Sequence, residues 1–270
     1  MILRNNPILV VIVFLFTIQI TAQTKVIAHR GSSGTAPENT WIAFQKAIDS
    51  GADYFELDVH KSKDGKLYVI HDNSVNRTSS NGEKGKIYQL TSQEIDNINV
   101  GYSEKFGDTY KNERIPTLEN ILKLAKGKIK VCIEIKIFGI EKEVLKLIND
   151  LEMKEEVYIF SFYFTVLAKV RQLDEEIPIL LLHSKYLVDE TTIDYASIIN
   201  ANAIGINYDS PINKKLIALA HQHGIEIWKY TVDEENLLLE LLDMGIDGVI
   251  TNYPEETLKI IKERKITKID

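Results

Sequence analysis

Tyr54-Phe55-Glu56-Leu57-Asp58-Val59-His60 has the pattern of a strand with charge on one face only. Successive side chains of a strand point to opposite sides. Tyr54, Glu56, Asp58 and His60 therefore share one face, and Phe55, Leu57 and Val59 share the other. Val131-Cys132-Ile133-Glu134-Ile135-Lys136 repeats the arrangement, with Cys132, Glu134 and Lys136 opposite the three aliphatic residues. The apolar faces must be covered, most simply by helices, and the charged faces must meet something polar. A solvated edge strand would alternate in the same way. Two further apolar runs, Val26–Ala28 and Leu67–Ile70, end in His29-Arg30-Gly31 and His71-Asp72, which argues instead for one site assembled from several strand ends.

The surrounding chain supplies the helices. Strand-like runs fall near 25–29, 53–59, 130–135, 157–161, 178–182, 203–207, 225–232 and 247–251. Helical periodicity fills 40–50, 117–126, 140–151, 163–173, 189–199, 213–222, 233–243 and 255–263. Strands that alternate with helices predict right-handed βαβ units and a parallel sheet. Eight such units in about 245 residues match a closed α/β barrel, the (β/α)8 or TIM barrel. An open doubly wound sheet is the alternative, but the GxGxxG fingerprint expected after its first strand is absent. Asp64-Gly65 is a hairpin signal, so 53–59 is expected to fold back into 67–71. A small insertion follows this second strand region, at about 73–115. Within it Thr91-Ser92-Gln93-Glu94 reads as a capping box, and the segment is expected to overhang the barrel mouth.

Of the 270 residues, 44% are hydrophobic, enough for one large core. Arg4 precedes a 13-residue apolar run, Ile8 to Ile20, followed by Thr21-Ala22. That run suits a secretory leader and is short for a spanning helix. Residues 1–22 are expected to be a cleaved signal peptide, with an uncleaved anchor as the alternative, and 23–270 the barrel. The expected location is thus periplasmic or extracellular, with no stable membrane insertion of the mature chain. Removing Arg4, the one charge in the leader, moves the formal net charge from −7 to −8. An acidic chain is poorly suited to gripping a nucleic-acid backbone, so no nucleic-acid partner is expected. Cys132, the single cysteine, cannot form an internal disulfide and reads as a small interior residue.

Three carboxylates in one pocket, Glu56, Asp58 and Glu134, repel one another unless a cation offsets them. All-oxygen ligation suits one divalent cation, Ca2+ or Mg2+, better than zinc. Salt bridges with Lys136, Arg30 or Lys61 are the plainer reading. His29 and His71 are candidates for general base and general acid, because imidazole titrates near working pH. Arg30 and Lys136 are candidates for holding phosphate oxygens. His60 could border the site, while His221 and His223, ahead of Gly224, read as residues of a helix end. Pro37-Glu38-Asn39-Thr40 needs no function to explain it, since Asn39 or Thr40 can cap the next helix. Gly31 and Gly34 fit a turn that brings backbone N–H groups near an anion.

In this order the motifs resemble the glycerophosphodiester phosphodiesterase family. They are His29-Arg30-Gly31, Pro37-Glu38-Asn39-Thr40, Gly51-Ala52-Asp53, Glu56-Leu57-Asp58-Val59, Asp64-Gly65 and His71-Asp72. Ile115-Pro116-Thr117-Leu118, Glu134-Ile135-Lys136, Ser161-Phe162 and the closing Gly245–Pro254 continue the likeness, which spans about 25 to 262. The resemblance implies a barrel enzyme that hydrolyses small-molecule glycerophosphodiesters to glycerol 3-phosphate and an alcohol. It implies His29 and His71 as the acid/base pair, Glu56, Asp58 and Glu134 as metal ligands, and Arg30 and Lys136 on the phosphate. It also suggests attack by the substrate's own glycerol hydroxyl, through a cyclic phosphate. Two positions depart from the family pattern: Tyr230-Thr231-Val232-Asp233 stands where Trp-Thr-Val-Asn is common, and Asn252 where Asp is frequent. Both bear on the alcohol side of the pocket and neither on the catalytic set. The other functions weighed are phospholipase D-type cleavage of lysophospholipids on the same fold and a non-catalytic phosphodiester-binding protein.

Overall fold

The computed structural model describes residues 23–184 and 188–267; the leader assigned to 1–22 lies outside them. Its strands are β1 (Lys25–Ala28), β2 (Tyr54–Lys61), β3 (Leu67–Val69), β4 (Lys130–Ile135), β5 (Val157–Ser161), β6 (Ile179–His183), β7 (Ala203–Asn207), β8 (Glu226–Tyr230) and β9 (Gly248–Thr251). The helices are α1 (Trp41–Ser50), α2 (Ser92–Ile95), α3 (Ser103–Phe106), α4 (Leu118–Ala125), α5 (Glu141–Asp150), α6 (Phe164–Leu173), α7 (Glu190–Ile198), α8 (Lys214–Gln222), α9 (Glu235–Met244) and α10 (Pro254–Thr267). Parallel pairing runs β1-β2-β4-β5-β6-β7-β8-β9, and β9 pairs back onto β1. The sheet is therefore a closed eight-stranded barrel rather than an open doubly wound sheet. β3 adds antiparallel to β2, with Val59 opposite Val69, which is the fold-back that Asp64-Gly65 signalled. No helix among the described residues is long and apolar enough to cross a membrane.

The two faces of each strand go to two separate cores. Phe55, Leu57, Val59, Val131, Ile133 and Ile135 pack outward against the helices in one large cluster. Tyr54, Cys132, Tyr158, Phe160, Leu180 and Trp228 form a second cluster inside the barrel. The predicted alternation thus describes a strand buried on both sides, not a solvated edge. Helix ends follow from local chemistry: the Thr40 hydroxyl caps α1 by accepting from the Ala43 N–H, and Gly51, at φ 77°, closes it in the left-handed conformation.

Residues 73–115 carry α2 and α3 around a small apolar cluster that includes Val75, Ile87, Ile95 and Ile98. The Thr91–Glu94 capping box is present at α2. This segment packs against the β1–α1 loop. Lys105 Nζ donates to the Ser33 carbonyl at 3.1 Å and Tyr110 Oη to the Thr35 carbonyl at 3.0 Å, both in the β1–α1 loop.

The floor of the barrel is aromatic. The fully buried Trp228 ring lies 5.7 Å from Tyr54, 5.2 Å from Tyr158 and 5.7 Å from Phe160, centroid to centroid. Its neighbour across β8 and β9 is Gly248, and a Cβ built there would sit 2.8 Å from the indole. The indole is wedged by other rings and has no room to yield. Gly248→Ala should accordingly destabilise the fold by about 1–3 kcal/mol, the usual range for overpacking a core, measured as a lowered urea midpoint at unchanged slope.

Candidate active site

Register brings the acidic residues together. Asp58 on β2 pairs with Glu134 on β4, and Glu56 lies two residues lower on the same interior face. All three are buried, at 3%, 1% and 7% exposure for Glu56, Asp58 and Glu134. One oxygen from each lies within 4.8 Å of the others. Lys136 Nζ lies 3.3 Å from Asp58 and 2.8 Å from Glu134, and Arg30 Nε 3.5 Å from Asp58. The salt-bridge reading is therefore correct as far as it goes, with Lys61 turned away to Glu143. Among the described residues Glu56 has no side-chain ion pair and accepts the Arg30 backbone N–H at 2.9 Å.

The protonation states expose the imbalance. Burial, then the charges of Asp58 and Glu134, pushes Glu56 well above the ordinary carboxylate range. Glu134 is pushed up to about 7 by burial and the Asp58 charge, against Lys136. Burial opposes ionisation of Asp58 too, yet Lys136 and Arg30 outweigh it and hold Asp58 below its usual value. Asp58 Oδ1 is buried with no hydrogen-bond partner although Lys136 is in ion-pair range, and Arg30 Nε is likewise without one. A hard oxygen set with an unused buried oxygen and two carboxylates held partly protonated fits a divalent cation.

Both histidines lie within electrostatic reach of Asp58. His29 follows β1 and His71 follows β3. His29 Nδ1 is 2.7 Å from Asn252 Oδ1. The same oxygen accepts from Ser33 Oγ, while Asn252 Nδ2 donates to Asp233 at 2.5 Å. That network orients the amide and puts the ring proton of His29 on Nδ1, leaving Nε2 as the basic atom. Burial, then Arg30, lowers His29 to about 4, so the ring is neutral at working pH. His71 Nδ1 instead meets a carboxylate, Asp72 Oδ1, at 2.7 Å. Burial lowers His71 as well, with Asp58 the largest opposing influence and Asp72 adding to it.

A cavity of about 210 Å3 opens over these residues. His29, Arg30, Glu56, His71, Glu134 and Lys136 line one side, from β1 to β4. Phe160, Phe162, Leu182, Tyr230 and Ile250 dominate the side built by β5 to β9. Among the described residues, none of the lining comes from 73–115.

The comparisons with known proteins bear directly on this arrangement. The sequence profile of the glycerophosphoryl diester phosphodiesterase family matches residues 29–256. The chain belongs to that family. It is an enzyme, a phosphoric diester hydrolase. A glycerophosphodiester phosphodiesterase of Caldanaerobacter subterraneus subsp. tengcongensis is 36% identical over 247 residues, 89% of this chain and 99% of the relative. A crystal structure of the Agrobacterium tumefaciens glycerophosphodiester phosphodiesterase has a TM-score of 0.76 at 29% identity, covering 86% of this chain and 98% of that one. A phosphodiesterase of Oleispira antarctica, solved with the product sn-glycerol-3-phosphate, reaches 0.79 at 27% identity over 88% and 96% of the two chains.

All seven residues proposed from sequence converge on this mouth. Several others that hold them were missed. Asn39, read as a possible helix cap, sits at φ 56° and donates from Nδ2 to Asp58 Oδ2 at 2.8 Å. Glu38 accepts from Arg30 Nη1 at 2.9 Å and from Arg77. Pro37-Glu38-Asn39-Thr40 is therefore part of the site as well as a helix start. Position next to the first motif was the available signal for Glu38 and Asn39; Arg77 and Asn252 had none linking them to a particular histidine. His60 is not among the residues that line the cavity but borders it, its Nε2 meeting the His71 carbonyl at 3.1 Å. Gly31, at φ 78°, allows the turn to pass Ala43, whose carbonyl carbon would lie 2.6 Å from an added Cβ.

A raised Glu134 carboxyl means that a proton and a divalent cation compete for the same oxygens. As pH falls through about 7, protonated Glu134 accumulates and cation affinity should fall. Calorimetric titration of Ca2+ or Mg2+ into chelator-treated protein at pH 6 and pH 8 should show weaker binding at pH 6, and Glu134→Gln should reduce that dependence to the part that Glu56 contributes.

Proposed function

We propose that the enzyme hydrolyses glycerophosphodiesters to glycerol 3-phosphate and an alcohol by divalent-metal-assisted acid–base catalysis, outside the cytoplasm. The observation that carries this reading is the convergence of three buried carboxylates, two cations and two differently paired histidines on one cavity. The apolar run at Ile8–Ile20 supports export. Glu56, Asp58 and Glu134 would hold the cation, whose charge offsets that developing on the non-bridging phosphate oxygens.

The chain's own groups divide the remaining work. Arg30 and Lys136, both kept charged by the neighbouring carboxylates against burial, hold the phosphate between the two sides of the mouth. His29, neutral with Nε2 unprotonated, takes the proton of the attacking glycerol hydroxyl. Its oxygen bonds to phosphorus as the bond to the departing alcohol breaks. His71 must enter the step protonated on both nitrogens; with its Nδ1–H held by the Asp72 carboxylate, and with Asp58 and Asp72 supporting the charged ring against burial, it gives its Nε2 proton to the alkoxide and is left neutral. Water then opens the cyclic phosphate with the two roles reversed. The hydroxyl-bearing arm belongs beside His29, and the oxygen of the departing alcohol beside His71.

A second reading, phospholipase D-type cleavage of lysophospholipids, draws on one feature. Phe138 and Tyr163 stack at 4.5 Å on the β4–α5 and β5–α6 loops, 61% and 43% exposed, an apolar rim for an acyl chain. Turnover of an acylated substrate at least equal to that of its deacylated counterpart would favour it.

Glycerol 3-phosphate release should cease with EDTA and return with Ca2+ or Mg2+; full activity in metal-free protein would overturn the metal dependence. His29→Ala and His71→Ala should each lower kcat by about 10²–10⁴-fold, the usual worth of one general acid or base. A p-nitrophenyl leaving group, which needs no protonation, should rescue His71→Ala and leave His29→Ala impaired. Equal responses of the two variants would reject this division of roles.

A further inference from the structure

The ion pairs that begin at Arg30 end at His71, and their middle link comes from outside the barrel. Arg77 belongs to the segment between β3 and α4. Val75, fully buried in the insertion's own cluster, and the buried Thr78 seat the chain on either side of it. Its guanidinium Nε donates to Asp72 Oδ2 at 2.9 Å and Nη2 to Asp72 Oδ1 at 3.0 Å. Towards the other side, Nη1 donates to Glu38 Oε2 at 2.8 Å and Nη2 to Glu38 Oε1 at 2.7 Å. Glu38 Oε1 also receives Arg30 Nη1, and Asp72 Oδ1 also meets His71 Nδ1. One planar fork thus spans two carboxylates, each of which reaches a different group at the mouth.

Asp72 is part-exposed, and among the described residues its one other hydrogen-bonded side chain is His71. A carboxylate so placed rotates and hydrates readily. Gripped on both oxygens, it has one orientation, and its Oδ1 stays aimed at the imidazole. A bidentate fork provides this, whereas a point charge does not. Four of the five guanidinium N–H groups are engaged. Arg77 is also absent from the cavity lining. Both facts argue against direct contact with substrate phosphate.

We propose that Arg77 is a positioning residue of the reaction: through Asp72 it orients the His71 imidazole, and through Glu38 it keeps that ring in register with Arg30. The proposal rests on the reading of His71 as an acid–base group. It gives the inserted segment a part in the chemistry although that segment contributes nothing to the cavity wall.

The test is a double-mutant cycle on the full enzyme, with product release from an alkyl glycerophosphodiester as the readout. Arg77→Gln should lower kcat by up to roughly 100-fold, as expected for a misplaced catalytic group, at nearly constant KM. In a His71→Ala background the same change should cost less than about twofold more, because the two act as one unit. Arg77→Lys, which keeps the charge and loses the fork, should lose most of kcat as well, and it serves the same comparison should Arg77→Gln not fold. Equal losses in both backgrounds would make Arg77 a mere clamp and overturn the proposal. A loss confined to KM, or full activity in Arg77→Lys, would overturn it too. Near-normal turnover in His71→Ala alone would instead refute the role of His71, and it is visible without any Arg77 variant.

Discussion

Mutual repulsion of Glu56, Asp58 and Glu134 is the constraint around which the site is built. Side by side on a closed barrel, these carboxylates cannot separate, and burial denies them water. Asp58 takes most of the available compensation: Lys136, Arg30 and the Asn39 amide. Glu56 and Glu134 are left short, and burial with the neighbouring carboxylates pushes both above the ordinary carboxylate range. The unmet charge is what fits the site to a divalent cation, and the two side-chain cations are what fit it to a phosphate.

From this centre the compensation spreads outward. Arg30 is shared between Asp58 and Glu38, and Glu38 between Arg30 and Arg77. Arg77 then reaches Asp72, which holds His71. The other histidine is held by neutral chemistry, an amide oriented by Ser33 and Asp233. Burial disfavours the charged form of both rings, but the Asp72 carboxylate works against that at His71 while His29 has a neutral amide partner, so the two histidines differ in their partners although their motifs look alike. The aromatic strands β5 to β9 supply the dry side of the mouth, with Tyr230 Oη donating to the His183 carbonyl at 3.0 Å. Tyr230, a departure from the family pattern, lines the cavity there as expected, whereas Asn252, the other departure, was expected on the alcohol side and is instead absent from the lining and bonded to His29, so that departure does touch the catalytic set.

Much of this was legible before any coordinates. Period-two alternation in 54–60 and 131–136 placed Glu56, Asp58 and Glu134 on interior faces, because a strand flanked by helices must turn its aliphatic side outward. The hairpin at Asp64-Gly65 and the capping box at Thr91 were readable because each depends on a few adjacent residues. The insertion's length suggested a segment at the mouth; its apolar residues pack on one another and on Tyr68 and Ile70 of the hairpin region, and its polar ones reach the β1–α1 loop.

What the sequence by itself determined was the set of strand-end motifs, their facing, and with the family resemblance the class of reaction. Each is a local property, set by side-chain alternation or by chemically unusual residues beside a strand. Partnership was decided only by the tertiary structure. Asn252 lies 223 residues from His29, and Glu38 lies 39 from Arg77, yet both pairs are in hydrogen-bond contact. Barrel closure of β9 onto β1 makes the first contact and the seating of the insertion beside the β1–α1 loop makes the second. No spacing in the chain encodes either, because the distance that matters is measured across a closed surface rather than along the backbone.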